Sequence, residues 1–327
     1  MCFSQRQQSL WSGKRRGRKS GMNKNRTVFY LSIFLFLGLL LSGCAENVDS
    51  TVNTTQEEYS GVVSYLGLEG TYTQEAVKQF FGPEGDYRPQ KNVKDAVQKM
   101  LDGESTYAVI PQENTIGGPV YDYVDELLSH ENIHIIGEVE LPIRQALLVA
   151  EGTKTEDILT VYSHKQGLIQ GKEWLSDNLP KAEVVEVSST AEGAKKVAES
   201  GTKDVAAIAS TGAAEVYGLN ILVENIQQND DNKTRFYVLA DGAANTSAKG
   251  TRVVFSTTGE AENLPELLKR LDKADMTIIS IHDRPEKTQL GHYIYLFECI
   301  DRGYDSYQTV SELDSFLFRY YGAFDLR

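Results

Sequence analysis

The stretch Asn225–Ala240, with the sequence NIQQNDDNKTRFYVLA, predicts a loop that leads directly into a buried strand. Its first half is polar and rich in turn-forming residues, and its second half carries the apolar run Tyr237–Leu239. Thr234 and Arg235 therefore lie where the strand begins. The planar guanidinium of an arginine can bind both oxygens of a carboxylate, and the neighbouring threonine hydroxyl can donate a proton. The pair therefore predicts a site that binds a carboxylate and protonates a substrate. A surface loop with a solvated arginine is the alternative for so short a motif.

Length and charge narrow the possible classes of protein. The chain has 327 residues, enough for two domains with a sizeable core, and its 41% hydrophobic content is ordinary for a soluble globular protein. The formal net charge is -13, and no acidic residue precedes Glu46, so the remainder is still more acidic. Such a domain is a poor candidate for binding nucleic acid. The three cysteines, Cys2, Cys44 and Cys299, lack the spacing of a zinc site or a disulfide framework, so we expect no metal.

The N-terminal region predicts export. A basic segment at residues 22–26 precedes an apolar run at 28–41, which is shorter than the roughly 20 residues that a spanning helix needs. The run ends in LSGC, which resembles the lipobox of bacterial lipoproteins and implies lipid on Cys44, with the domain held at a membrane outside the cytoplasm. An uncleaved anchor helix is the alternative. Residues 1–21 are expected to be an upstream extension, and the polar segment 45–60 a flexible linker.

Two segments predict capped helices that follow strands. After an apolar strand at residues 62–66 and a glycine-containing loop, Thr71 and Gln74 have capping-box spacing. Ser189 and Glu192 repeat that spacing before a second helix. A loop that delivers a helix N-terminus can hold an anion, although most capped helices bind nothing. Strand and helix signals alternate through this region, which favours parallel α/β layers.

Polar side chains also follow two further predicted strands. The apolar strand 107–111 runs into QENTIGG, the usual ligand position at the end of a strand in an α/β sheet, although simple turn chemistry also fits. Ser163 follows the strand at 160–162 and is placed to cap a helix. Gln166 and Gln170 share one face of that helix and are suited to bind a substrate hydroxyl or carboxylate. His164 is either a base or a structural residue.

The ordered series YLGLEGTYTQEA, AVIPQENTIGG, GEVELPI, VYSHKQGLIQ, STAEGA, AAIAS, AAEVYGLNIL, NIQ and NKTRF resembles the prephenate dehydratase family over residues 63–239. This resemblance implies a catalytic domain at 61–241 with two α/β lobes, similar to a type II periplasmic binding protein. The chain would cross between the lobes near Glu138–Arg144 and return near Asn220–Thr234. The active site would lie in the cleft between them.

The family's reaction is the decarboxylative dehydration of prephenate to phenylpyruvate, which needs no cofactor. By this resemblance Thr234 would donate a proton to the leaving hydroxyl, while Asn114 and Gln170 would orient the substrate. The resemblance together with the motifs above gives the expected substrate contacts as Thr71, Glu113, Thr115, Ser163, His164, Gln166, Ser189, Thr190, Arg235 and Phe236. Arogenate as substrate stays open. A non-enzymatic lipoprotein that binds aromatic acids is the rival hypothesis.

The C-terminal region, residues 250–327, resembles an ACT regulatory domain. Its predicted order is β-α-β-β, followed by a helix near Val310–Phe318 and a short tail. The resemblance implies phenylalanine as an effector at subunit contacts in a homodimer or homotetramer. The candidate effector residues are Asn263, Leu264, Asp283, Arg284 and Pro285. Because Glu262 stands where the family has a glycine, a dimerisation module without an effector is the alternative.

Overall fold

The computed structural model describes residues 59–303, 305–312 and 317–327. The predicted upstream extension, the signal sequence with Cys44 and nearly all of the predicted linker lie outside these residues. Among the residues that are described, no helix is both long enough and apolar enough to cross a membrane.

The first lobe is built on a mixed sheet. Its first part contains, in chain order, β1 (Val63–Leu66), α1 (Tyr72–Phe81), β2 (Tyr87–Gln90), α2 (Val93–Leu101), β3 (Tyr107–Asn114), β4 (Gly118–Pro119), α3 (Tyr121–Ser129) and β5 (Ile133–Pro142). Strand β1 pairs in parallel with β2 and β3, and the short β4 pairs with the end of β3. Thr71 accepts a hydrogen bond from the backbone N–H of Gln74 at 3.4 Å, so the predicted cap of α1 is present.

The second lobe contains β6 (Ala146–Val149), β7 (Thr160–Ser163), α4 (Lys165–Gln170), α5 (Lys172–Asn178), β8 (Glu183–Glu186), α6 (Thr190–Ser200), β9 (Val205–Ala209), α7 (Thr211–Tyr217) and β10 (Asn220–Val223). Its five strands form one sheet with the order β10-β6-β9-β7-β8. Ser189 caps α6 as predicted, because it accepts from the backbone N–H of Glu192 at 3.0 Å.

The chain returns to the first lobe as β11 (Lys233–Asp241), which lies between β3 and β5 and is antiparallel to both. The prediction of parallel layers was wrong at this strand, which enters the sheet from the second lobe, and at β6, which is antiparallel to β9 and β10. The outward and return crossings lie side by side. The N–H of Ile143 donates to the carbonyl of Asn232 at 2.8 Å, and that of Ile226 to the carbonyl of Gln145 at 2.9 Å.

The C-terminal region contains β12 (Arg252–Glu260), α8 (Leu264–Lys273), β13 (Met276–Pro285), β14 (His292–Asp301), α9 (Ser306–Ser311) and β15 (Leu317–Phe324). Its four strands form an antiparallel sheet with the order β13-β14-β12-β15. The predicted helix through Phe318 was wrong, because Phe318 lies in a strand that pairs with β12. The resulting order, β-α-β-β-α-β, is that of a split βαβ unit.

Successive residues of β11 face opposite sides of the first sheet. Phe236 and Val238 belong to the core beneath α1, together with Tyr65 and Val77. On the other face, Tyr237 and Leu239 belong to a core that includes α2 and α3 of the lobe and Val254, Leu296, Tyr321 and Phe324 of the C-terminal sheet. The C-terminal sheet is therefore packed directly against the back of the strand that carries Thr234.

Candidate active site

A cleft of about 600 Å³ lies between the two lobes at the start of β11. The residues predicted for a site that line it are Thr71, Asn114, His164, Gln166, Gln170, Ser189, Thr190, Thr234 and Phe236. They come from β3 and β11, from the N-terminal regions of α1 and α6, and from α4 with its cap, so both lobes contribute. The structure thus brings together polar groups that are far apart in the sequence.

The centre of the cleft is the pair of Asn114 and Thr234. These two residues are register partners in β3 and β11, and Asn114 Nδ2 donates to Thr234 Oγ1 at 2.8 Å. The other amide atom, Asn114 Oδ1, accepts from the backbone N–H groups of Ile116 and Gly117 at 3.0 and 2.9 Å. Since only the oxygen can accept, these two bonds fix the direction of the amide. Thr234 is therefore held as an acceptor toward Asn114, and its own O–H remains available for donation.

Gln170 lies on the second lobe and is oriented by a residue of the outward crossing. Gln145 Nε2 donates to Gln170 Oε1 at 2.8 Å, which leaves the NH₂ group of Gln170 for a ligand. The return crossing holds the same residue, because the N–H of Gln228 donates to the backbone carbonyl of Gln170 at 2.9 Å. Gln145 is itself held through its N–H by Gln227 Oε1 at 2.8 Å. The cleft side of α4 is thus fixed to both crossings.

Sequence reasoning did not identify Gln145, although it lines the cleft and is 2% exposed. The available signal was its position directly after the predicted outward crossing, where a segment that joins two lobes must border the space between them. Lys91 and Glu192 also line the cleft. Glu192 was assigned only to the cap of α6.

Two predicted contacts have structural roles instead. Ser163 is fully buried and donates to the carbonyl of Ile208 at 2.6 Å, so it neither caps α4 nor lines the cleft. The cap is His164, whose Nδ1 accepts from the N–H of Gln166 at 3.4 Å. Thr115 also does not line the cleft, and its hydroxyl donates to the backbone carbonyl of Lys233 at 3.2 Å.

Arg235 and Glu113 were expected to contact the substrate, but they do not line the cleft, because strand alternation places them on the face opposite Thr234. Arg235 contacts the carboxylates of Glu113, Glu138 and Glu298 at 2.8, 3.1 and 2.5 Å. A local motif shows that an arginine enters a strand but does not show which face it occupies. Its guanidinium does bind carboxylates, but they belong to the protein.

Among the candidate effector residues, Arg284 is bound to the first lobe. Its Nε donates to Asp125 in α3 at 2.5 Å, and its guanidinium carbon lies 4.7 Å from the centre of the Tyr121 ring. The remaining candidates lie at the start of α8 (Asn263 and Leu264) and at the end of β13 (Asp283 and Pro285). An acidic effector that used Arg284 would have to compete with Asp125.

A family model described as prephenate dehydratase matches residues 63–244. The chain belongs to the prephenate dehydratase family. This confirms the resemblance on which the expected positions of Thr234, Asn114 and Gln170 rest. The match ends shortly after β11, so it covers the two lobes and leaves out the C-terminal sheet.

Individual members of the prephenate dehydratase family match a longer part of the chain than the family model does. The chain is 35% identical over 244 residues to a bifunctional chorismate mutase/prephenate dehydratase of Stutzerimonas stutzeri, covering 74% of this chain and 66% of that protein. It therefore spans about two thirds of the length of such relatives. Arogenate dehydratase 2 of Petunia hybrida is 39% identical over 180 residues, which is 54% of this chain and 44% of that protein.

Among solved structures, a prephenate dehydratase from Arthrobacter aurescens in complex with L-Phe superposes with a TM-score of 0.71 and 28% identity. The superposition covers 81% of this chain and 89% of that one. It therefore includes residues beyond β11 as well as the two lobes.

Proposed function

We propose that this protein is a prephenate dehydratase, which converts prephenate to phenylpyruvate, CO₂ and water. The observation that carries this proposal is the hydrogen bond of 2.8 Å from Asn114 Nδ2 to Thr234 Oγ1. It leaves the Thr234 hydroxyl proton available in a cleft to which both lobes contribute polar groups. A protein that only binds an aromatic acid needs no hydroxyl held in this way.

In the reaction, the C–C bond to the ring carboxylate breaks and its electron pair enters the ring. The C–O bond to the ring hydroxyl breaks at the opposite position, and the departing oxygen takes a proton to become water. Thr234 supplies that proton through a strongly polarised hydrogen bond, since a free threonine hydroxyl is a very weak acid. The ring becomes aromatic, so the protein mainly has to orient the substrate and protonate its leaving group.

The cleft fits the two carboxylates of prephenate because helices from both lobes begin at its walls. Thr71 caps α1, and Ser189 caps α6; both caps line the cleft. Free backbone N–H groups and the helix dipole favour an anion at such an N-terminus. Lys91 adds a positive charge at the edge of the cleft. The two helices belong to different lobes, so a dianion would bind across the cleft.

The test is the formation of phenylpyruvate from prephenate by the purified protein and by two variants. Thr234→Val keeps the branched shape and removes the hydroxyl, so we expect kcat to fall by about 10²- to 10⁴-fold. Thr234→Ser keeps the hydroxyl and should retain most of the activity. Turnover by Thr234→Val at the rate of the unmodified protein would refute the proposed role of Thr234.

Two other outcomes of this experiment would support a different function. Formation of phenylalanine from arogenate at a higher kcat/KM than that of prephenate would identify an arogenate dehydratase, the activity named for the Petunia relative. Tight binding of an aromatic acid without turnover of either substrate would favour the rival hypothesis, an exported binding lipoprotein.

We further propose that the C-terminal sheet is an ACT domain that binds phenylalanine and joins subunits into a dimer or tetramer. Its β-α-β-β-α-β order and the L-Phe complex of the Arthrobacter relative support this. We also propose that the protein is exported and anchored through lipid on Cys44, which the LSGC ending supports. Mass spectrometry of the membrane fraction, with a Cys44→Ala control, tests the anchor, and calorimetry with phenylalanine tests the effector.

A further inference from the structure

The back of the catalytic strand carries a buried ion cluster centred on Arg235. Its two terminal nitrogens hold both oxygens of Glu298, with Nη1 at 2.5 Å from Oε1 and Nη2 at 2.9 Å from Oε2. Nη1 also donates to Glu138 at 3.1 Å, and Nη2 to Glu113 at 2.8 Å. Arg235 is 9% exposed and Glu298 2% exposed. A bidentate hydrogen bond of this kind fixes the orientation of the guanidinium as well as its distance from the carboxylate.

Glu298 belongs to β14 of the C-terminal sheet and is itself held on both sides. Gln112 Nε2, from β3 of the first lobe, donates to Glu298 Oε2 at 2.7 Å, and the hydroxyl of Ser280 in β13 donates to the same oxygen at 3.1 Å. Gln112 also donates to the hydroxyl of Tyr237 in β11 at 2.8 Å. One carboxylate of the C-terminal sheet is thus bonded directly to β3 and β11, the two strands that form the centre of the cleft.

The cluster lies directly behind the reacting groups. In the register of β3 and β11, Thr234 is opposite Asn114 and Arg235 is opposite Glu113. Arg235 therefore bridges the same two strands one position away from the pair in the cleft. Since Glu298 holds both nitrogens of Arg235, it restrains the distance and angle between the ends of the two strands.

The charges show how strongly the cluster depends on Glu298. Burial alone would lower the pKa of Arg235, but the hydrogen bond to Glu298 and the charges of Glu298 and Glu138 raise it above its ordinary value. Burial raises the pKa of Glu138 to about 7, against the lowering effect of Arg235. Glu113 is the more exposed partner, with 41% of its side chain accessible. Without Glu298, the buried guanidinium would lose two of these four hydrogen bonds and turn toward Glu113.

We propose that Glu298 is a positioning residue for the dehydratase reaction: through Arg235 it holds Thr234 and Asn114 at the spacing that proton transfer requires. The proposal rests on the proposed function, in which Thr234 is the proton donor. It makes the C-terminal sheet a part of the active-site framework, whether or not that sheet binds an effector. A displacement of Thr234 by about 1 Å is enough to lower a rate by about 100-fold.

The test compares three carboxylate variants in the complete protein. Glu298→Gln keeps the shape but turns an amide toward the guanidinium, and Glu298→Asp keeps the charge with a shorter side chain. Asp125→Asn removes a carboxylate of the first lobe that binds Arg284 of the C-terminal sheet. This is a second ion pair between the same two parts of the chain, so the variant is the matched control. Each variant is assayed with prephenate below its measured unfolding temperature, alone and combined with Thr234→Val.

We expect Glu298→Gln to lower kcat by about 10- to 100-fold with little change in KM, Glu298→Asp to recover part of the loss, and Asp125→Asn to have no effect. If Glu298 acts through Thr234, its loss has no further effect in the Thr234→Val background. An unchanged kcat, or a loss that simply adds to that of Thr234→Val, would overturn the proposal.

Hydrogen exchange gives a readout that does not depend on turnover. In the protein without substrate, amides at the end of β3 and the start of β11 should exchange faster in Glu298→Gln than in Asp125→Asn. Equal exchange in the two variants would also overturn the proposal. If the unmodified protein does not convert prephenate, the proposed function fails, and exchange alone then decides whether Glu298 restrains these strands.

Discussion

The substitution Asn114→Asp reverses one hydrogen bond in the cleft and leaves the shape unchanged. Asn114 donates to Thr234 Oγ1 at 2.8 Å, so the threonine proton is free for the substrate. A carboxylate at this position can only accept, and at the same distance it would attract the Thr234 proton in a charge-assisted bond. The proton donor would then point away from the leaving hydroxyl.

The size of the effect follows from the role that is lost. General acid catalysis contributes about 10²- to 10⁴-fold, and at about 1.36 kcal/mol per tenfold this is about 3 to 5 kcal/mol in the activation barrier. The loop bonds survive, because the new carboxylate still accepts from the N–H groups of Ile116 and Gly117. The hydrogen bond that Asn114 Nδ2 donates to Asn232 Oδ1 at 3.2 Å is lost, which lowers the free energy of unfolding by about 1 to 3 kcal/mol.

The assay is the rate of phenylpyruvate formation from prephenate, measured over a range of pH on protein shown to be folded. We expect kcat of Asn114→Asp to be low near neutral pH and to rise as the pH falls toward the carboxyl pKa, since a protonated carboxyl can donate again. Asn92→Asp is the matched control, because Asn92 lies outside the cleft lining and caps α2 by accepting from the N–H of Asp95 and donating to the Asp95 carboxylate. A variant with unchanged kcat at neutral pH would refute the orientation argued for Thr234.

Three further predictions concern stability and are tested by urea denaturation. Ser189→Ala removes the acceptor of the Glu192 N–H and should lower the free energy of unfolding by about 0.5 to 2 kcal/mol; an unchanged midpoint would contradict the cap. Gly137→Ala places a methyl group 2.3 Å from Phe80 and should cost about 1 to 3 kcal/mol, unless the ring moves without loss. Burial raises the pKa of Glu75 above 4.5, so the folded state holds its proton more tightly than the unfolded state. Stability should therefore fall as the pH rises above the ordinary glutamate pKa of about 4.3, and Glu75→Gln should remove this contribution to the pH dependence.

The elements that could be predicted from the sequence are those fixed by nearby residues. Thr71 and Ser189 each cap a helix through a residue three positions ahead, so a local pattern carries the whole signal. The strand of residues 317–324 carries no comparable signal, because it is stabilised by pairing with β12, far away in the chain. Its apolar and aromatic residues fit a helix end equally well until that pairing is known.

The cleft residues also divide into those that the sequence motifs identify and those whose position depends on distant partners. Thr234, Asn114 and Gln170 were expected from the ordered motifs, whose residues converge on one cleft. Arg235 was misplaced because its main partner, Glu298, is 63 positions further along the chain and belongs to another sheet. A tripeptide shows that a charge is available, but the face that it occupies depends on strand alternation and on which buried carboxylates it meets.

The position of Thr234 in the fold determines how firmly the proposed proton donor is held. Lys233 and Thr234 follow the return crossing immediately, and Thr234 pairs with Asn114 on one side and Leu141 on the other. The two crossings are hydrogen bonded to each other beside it, at Ile143 and Asn232. A rotation of one lobe against the other about these crossings would move the start of β11 least. The proposed proton donor, Thr234, and the amide of Asn114 that orients it would then stay fixed on the first lobe while the second lobe moved.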